Sequence, residues 1–163
     1  MKKDRIAVLA SIILFCCIMS SAFTQSPIPP TGKLAQQLTG EWRNQYLKIK
    51  LRSAKTDSVE VVEADTSNWE AKLQIKPIRT YFIKDGTYHS EYRNLKDSIF
   101  RKASGLWAIK GDTLVMTQTQ PSHSVLKLHV QIDKQWATFH GMIDFDGEGK
   151  LNDEYFGVQK KFK

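Results

Sequence analysis

The chain has 163 residues, of which 41% are hydrophobic and 25% are charged, and its formal net charge is +7 at pH 7. This length suits one domain with one hydrophobic core. The basic and acidic residues are interspersed, with no basic block beyond Lys160-Lys161. Such a distribution is typical of a solvated surface. It argues against a nucleic-acid partner, because nucleic-acid interfaces cluster their basic residues.

The N-terminus has the three parts of a secretory signal peptide. Residues 2–5 are mostly cationic, residues 6–19 are almost entirely apolar, and small residues precede a cut after Ala22. The apolar run is shorter than the roughly 20 residues of a membrane-spanning helix. We therefore interpret residues 1–22 as a cleaved signal peptide, and expect a secreted, periplasmic or cell-envelope protein without a membrane span. An uncleaved N-terminal anchor is the alternative.

Both cysteines, Cys16 and Cys17, lie inside the apolar run. Removal of the signal therefore leaves a protein without a thiol or a disulfide framework. A lipid anchor on Cys17 is a second way of processing the signal, since Leu14 stands three residues before it. We favour cleavage, because the bulky Phe15 and Cys16 stand where a lipoprotein signal has small residues. Cleavage removes three basic residues and one acidic residue, which leaves a formal charge of +5.

Residues 23–33 form an extended leader, because they contain three prolines, which fix φ and disfavour a helical residue before them. A short helix-like segment follows, and Thr39-Gly40 ends it. Beyond this point apolar and polar residues alternate, most clearly over residues 47–51, 126–132, 137–145 and 156–162. Alternation with a period of two predicts half-buried antiparallel strands. The alternation alone does not say which face of each strand points inward.

Turn signals separate these runs at short intervals, at Asp85-Gly86, Gly111-Asp112 and residues 133–135 and 146–149. Asp-Gly between two alternating runs is the strongest short hairpin signal. We predict an all-β fold, an antiparallel up-and-down barrel of eight to ten strands with a short N-terminal helix. Closure of the barrel removes exposed sheet edges. A two-sheet β-sandwich is the alternative.

Several short motifs follow one another along residues 34–163. They are Leu38-Thr39-Gly40-Glu41-Trp42, residues 82–88, Gly105-Leu106-Trp107, residues 111–114 and residues 149–157. Together they resemble the bacterial lipocalin-like single-domain β-barrel family. The resemblance implies one lipocalin-like domain over residues 34–163. It also implies a cavity, open at one end, that holds a small hydrophobic or amphipathic molecule. An interior filled by side chains is the alternative.

The Gly-x-Trp motif at Gly40 and Trp42 has a structural role. Gly40 permits a tight turn from helix to strand, and Trp42 would plug one end of the barrel with its indole N–H bonded to a partner. In lipocalins a basic residue late in the chain lies over this tryptophan. The candidates here are Lys160 and Lys161, because no arginine follows Arg101.

Aromatic residues with a few polar neighbours are the usual lining of a small-molecule site. Tyr88 and Tyr92 share a strand face, and two histidines are expected neighbours across a hairpin, facing either solvent or a polar lumen. The candidate ligand-binding residues are therefore Tyr88, Tyr92, Trp107, His129 and His140. A packed core or an outward surface is the alternative role for the aromatic residues.

The sequence has no nucleophile elbow, phosphate-binding loop, dinucleotide glycine pattern or local zinc-ligand spacing. We therefore predict no catalytic residue and no cofactor, and favour a non-enzymatic protein. An envelope interaction or structural module with a filled barrel is one alternative. A barrel hydrolase or isomerase is another, for which Asp97, Glu91 and His89 are the available groups.

An acidic loop follows the predicted strand that ends near residue 143. With Asp144 as position one, acidic residues fall at positions one, three and five and glycine at six, as in a calcium loop of the EF-hand type. Tyr155 stands at position twelve, where a glutamate is expected, and the flanks are strands. We therefore interpret the segment as a hairpin loop, with Asp144, Asp146 and Glu148 as the candidate ligands if it held calcium.

Overall fold

The structure is a computed structural model that describes residues 27–52 and 58–162. The predicted signal peptide over residues 1–22, with Cys16 and Cys17, lies outside the described residues, so its processing stays a prediction. In the part of the chain that is described, no helix has the length and apolar character needed to cross a membrane.

The described residues form nine β-strands and two short helices. The strands are β1 (Gly40–Arg52), β2 (Val59–Asp65), β3 (Arg79–Phe82), β4 (Thr87–Arg93), β5 (Ile99–Lys110), β6 (Thr113–Gln120), β7 (Ser124–Asp133), β8 (Trp136–Ile143) and β9 (Asp153–Lys161). The helices are α1 (Lys33–Leu38) and α2 (Trp69–Leu73). The predicted all-β fold with a short N-terminal helix is confirmed. The sequence pattern does not predict α2, because five residues are too few to show a helical period.

Eight of the strands close into an antiparallel barrel. From β3 to β9 each strand is hydrogen-bonded to the next, and β1 closes the ring by pairing with both β3 and β9. Residues 40–43 of β1 pair with β3, and residues 46–52 pair with β2 along the same edge. β2 is therefore an extra strand beside the barrel. The predicted up-and-down barrel is confirmed, and the sandwich is not what forms.

A β-bulge in β1 decides which of its residues face the interior. The pairing with β9 shifts between Asn44 and Tyr46, so Gln45 is an extra residue in the strand. Trp42 and Asn44 are buried before the bulge, and Leu47 is buried after it. A strand without the bulge would point Leu47 to the side opposite Trp42, because side chains alternate along a strand.

Two clusters of buried side chains fill much of the barrel. The larger cluster lies against α1 and contains Leu38, Trp42, Phe82, Tyr88, Trp107, Leu114, Leu128, Val130 and Phe139. The smaller cluster, near β2 and α2, contains Leu47, Ile49, Ala64 and Trp69. Tyr155 of β9 packs against both clusters. The interior is therefore continuous from one cluster to the other through this side chain.

Trp42 closes one end of the barrel beneath α1. Its indole N–H donates a hydrogen bond of 2.6 Å to the carbonyl oxygen of Leu38, at the end of α1. The Nζ atom of Lys161 lies 5.5 Å from the Trp42 ring and donates a hydrogen bond of 2.6 Å to the carbonyl oxygen of Gln37. Lys161 thus occupies the position over the tryptophan that the resemblance implies for a late basic residue. Lys160 does not.

Replacement of Trp42 by alanine is expected to lower the free energy of unfolding by about 3–5 kcal/mol, because a large side chain with no exposed surface leaves a cavity. Trp136→Ala is the matched control, since this tryptophan is 41% exposed and contacts Lys160 on the outer surface. The control should lose less than about 1 kcal/mol. Urea unfolding followed by circular dichroism measures both losses, and equal losses would contradict the role of Trp42 as a plug.

Candidate functional site

Strand β9 presents Tyr155 and Gln159 to the barrel interior and Phe156 to the outside. Gln159 pairs with Asn44 of β1 and Ala137 of β8, which are 3% and 0% exposed. Residues directly opposite each other in antiparallel strands share a face, so Gln159 points inward. Phe156 points outward and is 38% exposed. Polar and apolar residues therefore alternate along β9 as expected. The face that carries Phe156 would be expected inside from its hydrophobicity, but it lies outside, and the face that carries Gln159 lies inside.

Uncharged polar side chains surround Tyr155 inside the barrel. We call Asn44, Tyr88, Tyr92, Tyr155 and Gln159 the inner polar group. Tyr155 is hydrogen-bonded to Asn44, and Tyr92 lies close enough to Tyr88 and Tyr155 to raise the pKa of both. Two of them, on β4, face the same side as Ser90, whose hydroxyl lies 2.9 Å from that of Thr80 on β3.

Burial favours the protonated form of two of these tyrosines. Loss of solvent contact and, to a smaller extent, the neighbouring Tyr92 together raise the pKa of Tyr88 and of Tyr155 to about 12. The hydrogen bond with Asn44 acts in the opposite direction on Tyr155. Both phenols are therefore neutral at physiological pH and able to donate a hydrogen bond.

Two buried polar atoms in this region have no hydrogen-bond partner among the residues that the structure describes. One is Gln159 Oε1. The other is Trp69 Nε1, whose side chain is 1% exposed and belongs to the same cluster of packed residues as Tyr155. A buried polar atom without a partner costs about 1–3 kcal/mol. Each atom therefore gains a hydrogen bond if a polar molecule binds beside it.

The two ends of the barrel differ in how well the inward-facing residues are covered. At the end opposite Trp42 the inward-facing side chains are only partly buried: Leu51, Tyr92, Met116, Gln118, Leu126 and Ile143. The guanidinium of Arg101 lies 5.2 Å from the Tyr92 ring at this end and is exposed. We call this end the mouth of the barrel. It combines an apolar wall with a cation at the rim.

The five candidate ligand-binding residues separate into two groups. Tyr88, Tyr92 and Trp107 face the interior, and Tyr88 and Trp107 belong to the larger buried cluster. The Trp107 indole N–H donates a 2.9 Å hydrogen bond to the carbonyl oxygen of Ile83. Trp107 therefore already has a structural partner, whereas Tyr92 lies nearer the mouth.

His129 and His140 lie on the outer face. They pair across the β7–β8 hairpin, with ring centroids 4.8 Å apart. The residues that alternate with them, among them Val130 and Phe139, are buried in the core. His129 Nδ1 contacts Asp112 Oδ2 at 3.0 Å. The two histidines are neighbours as expected, but grouping them with the tyrosines in one cavity is corrected, because alternation turns them to solvent.

The groups available for a barrel enzyme do not converge inside the barrel. His89 stacks on Tyr81 at 4.5 Å on the outer face, and burial lowers its pKa. Glu91 alternates with the inward-facing Ser90 and is paired with Arg93 at 3.0 Å. His89 and Glu91 therefore belong to stacking and ion-pair contacts outside the lumen and do not form an acid–base pair inside it.

The acidic loop brings together carboxylates that the sequence does not group. Asp144, Asp146 and Asp153 each place one oxygen within 4.8 Å of the others. Glu148, the third candidate named from the sequence, is not in this set, and its Oε1 accepts a 2.6 Å hydrogen bond from Asn152. Asp153 is missed by the sequence analysis because it stands at position ten of the calcium-loop pattern, which is not one of the side-chain ligand positions.

Residues of the inner polar group other than Tyr88 and Tyr92 are also missed. Tyr155 and Gln159 carry a signal only as the polar half of the β9 alternation. Asn44 has no signal in the sequence, because without the bulge at Gln45 it would lie on the face opposite Leu47. Comparison with protein-family models and with curated proteins found no match for this chain.

The free energy of unfolding is expected to fall as the pH rises from 10 to 12. Tyr88 and Tyr155, with a pKa of about 12 when folded and about 10 when unfolded, stabilise the folded state fully only below pH 10. Tyr155→Phe removes one of these groups, so the decline should be shallower by up to about 1.4 kcal/mol per pH unit.

Urea unfolding of both proteins at pH 9, 10 and 11 measures the two slopes. Groups other than Tyr155 titrate in both proteins and cancel in the difference. Parallel slopes would show that the Tyr155 hydroxyl is not enclosed by the barrel.

Proposed function

We propose that this is an exported, non-enzymatic barrel protein that binds a small hydrophobic or amphipathic ligand inside the barrel. The observation that carries the proposal is the inward-facing Gln159, whose Oε1 is buried without a partner in the described chain. Gln159 lies opposite Asn44, which is the hydrogen-bond partner of Tyr155. A barrel evolved only as a packed scaffold gains nothing from an unpaired acceptor in its interior, since an apolar side chain would be more stable there.

The inner polar group also indicates the kind of ligand. All of its members are uncharged, so the polar part of the ligand is a neutral group such as a hydroxyl, carbonyl or amide. Gln159 Oε1 accepts a hydrogen bond from such a group, while Tyr155 and Trp69 donate to it. The apolar part lies toward the mouth, against Met116, Leu126 and Ile143.

A second function is favoured by the outer surface of β8 and β9. Trp136, Met142 and Phe156 are 41%, 47% and 38% exposed and lie on this outer face. Met142 and Phe156 are diagonal neighbours across the β8–β9 pair, and exposed apolar residues that adjoin one another mark interaction surfaces. An envelope interaction module that uses this face is therefore the alternative proposal.

Binding of a neutral amphipathic probe tests the first proposal. N-phenyl-1-naphthylamine becomes fluorescent in apolar surroundings, and its titration with the purified protein should saturate at one probe per chain. Mass spectrometry of an organic extract of the purified protein should recover a neutral amphipathic compound. Absence of both signals would contradict the interior site and favour the outer surface.

Gln159→Leu should weaken binding of a hydroxyl- or amide-bearing ligand by about 3- to 10-fold, because it removes one hydrogen bond. The same change should raise the free energy of unfolding by about 1 kcal/mol, because it removes an unpaired buried acceptor. Fluorescence titration and urea unfolding measure the two effects.

Gln131→Leu is the matched control, because this glutamine is exposed on β7 next to His129. It should change neither quantity appreciably. Loss of stability in Gln159→Leu, with unchanged binding, would show that Gln159 is a structural residue.

A further inference from the structure

The hairpin that joins β4 to β5 presents apolar side chains to solvent at the mouth of the barrel. We call its residues 93–102 the β4–β5 tip. Leu95, Ile99 and Phe100 are 45%, 41% and 57% exposed. They lie within six consecutive residues at one end of the hairpin. Exposed apolar residues that lie together in this way mark an interaction surface.

The conformation of the tip is fixed by hydrogen bonds within it. The side-chain oxygen of Asn94 accepts 3.0 Å hydrogen bonds from the N–H groups of Lys96 and Ser98. The N–H of Asn94 donates a 2.9 Å hydrogen bond to the carbonyl oxygen of Ser98. Arg93 Nη1 donates a 2.7 Å hydrogen bond to the carbonyl oxygen of Asp97. The three apolar side chains are therefore exposed on a well-defined turn.

Phe100 is the extra residue of a β-bulge. Arg93 pairs with Ile99 and Tyr92 pairs with Arg101, so no residue of β4 lies opposite Phe100. A bulge bends the strand and changes the direction of its side chains, which is common at the ends of sheets. The bulge therefore leaves the most exposed aromatic ring of the tip outside the regular strand pairing.

The tip carries an excess of positive charge beside its apolar side chains. Residues 91–102 include four basic and two acidic residues. Both acidic groups are held in ion pairs with arginines, at 3.0 and 3.2 Å. Lys96 and Arg101 are exposed, and neither takes part in an ion pair of the described residues. Two cations are therefore available to an anionic partner.

The acidic side of the mouth lies across the barrel from the tip. Asp144, Asp146 and Glu148 belong to the loop that joins β8 to β9. Three strand pairings separate this loop from the β4–β5 tip in either direction around the ring. An anionic surface therefore attracts one side of the mouth and repels the opposite side.

We propose that the β4–β5 tip binds the surface of an anionic lipid bilayer. Leu95, Ile99 and Phe100 insert between the lipid headgroups, and the acidic loop tilts away from the bilayer. Lys96 and Arg101 contact lipid phosphate groups. Apolar side chains flanked by cations are typical of segments that bind at the membrane interface.

The size of the tip favours a bilayer over a protein partner. A stable protein interface buries about 800 Å² on each partner and requires complementary shapes. One hairpin tip offers less than this, whereas a bilayer is fluid and needs no matching shape. The inference does not depend on a ligand inside the barrel, because the tip contacts the bilayer with its outer residues.

Sedimentation with vesicles tests the proposal. The protein, purified with the N-terminus that export leaves, is mixed with sucrose-loaded vesicles of phosphatidylcholine and phosphatidylglycerol in equal amounts. It should bind these vesicles at least about 10-fold more tightly than vesicles of phosphatidylcholine alone, because two cations face the anionic lipid. Added salt should weaken the binding. The N-terminus is the same in every variant, so differences between variants report on the tip.

Variants with matched controls assign the binding to the tip. Phe100→Ala should weaken binding about 5- to 10-fold, because it removes an aromatic ring from the interface. Phe145→Ala should not weaken it, since this phenylalanine is 52% exposed on the acidic side of the mouth. Lys96→Gln should weaken binding about 5-fold. Lys84→Gln, at the closed end and equally exposed, should leave it unchanged. Circular dichroism checks that each variant is folded.

Several results would overturn the proposal. One is the absence of binding to either kind of vesicle, and another is equal binding to both kinds. Equal losses in Phe100→Ala and Phe145→Ala would contradict the assignment to the β4–β5 tip. Self-association that Phe100→Ala abolishes, without vesicle binding, would identify a second copy of the chain as the partner instead.

Discussion

The pairing of β1 with β9 is the contact on which the rest of the structure depends. It joins the first strand of the chain to the last and converts a sheet with two open edges into a barrel. The bulge at Gln45 lies within this pairing. It allows Trp42, Asn44 and Leu47 all to face inward, so one strand supplies the plug, a polar group and part of the smaller core. Gln159, opposite Asn44, owes its inward position to the same register.

The polarity of the inward-facing side chains changes along the barrel axis. The closed end is packed by large apolar side chains beneath α1, which is where most of the hydrophobic stabilisation arises. Around Tyr155 the wall becomes polar but remains uncharged, and toward the mouth the side chains are only partly covered. Close apolar packing and the uncharged polar side chains therefore lie at different levels of the same barrel.

Much of the fold could be predicted from the sequence, because its signals are local. Asp85-Gly86 and Gly111-Asp112 do join paired strands, and the order of β3 to β9 follows the order of the chain. Gly40 and Trp42 have the structural role that their motif predicts. These features depend on neighbouring residues and on the pairing of consecutive strands. Both can be recognised directly from the turn residues and from the alternation of apolar and polar residues.

The site could be predicted only in part, because it depends on facts that are not local. Alternation identifies the two faces of β9 but not the inward one, since closure on β1 decides that Gln159 faces inside. For the same reason His129 and His140 are correctly expected as neighbours, and their outward direction is known only once Val130 and Phe139 are seen in the core. Trp69 is contributed by a single helical turn that has no periodic signal. Asp153 joins Asp144 because a strand begins there.

The bond between Lys161 and Gln37 fastens the last strand to the first helix at the closed end of the barrel. Residues 27–32 continue across the same end, where the carbonyl oxygen of Ile28 comes so close to Gly86 that a larger residue at 86 would collide with it. The first residues that the structure describes therefore lie at the closed end of the barrel, behind Trp42. The mouth therefore opens at the end of the barrel opposite to the N-terminal residues of the described chain.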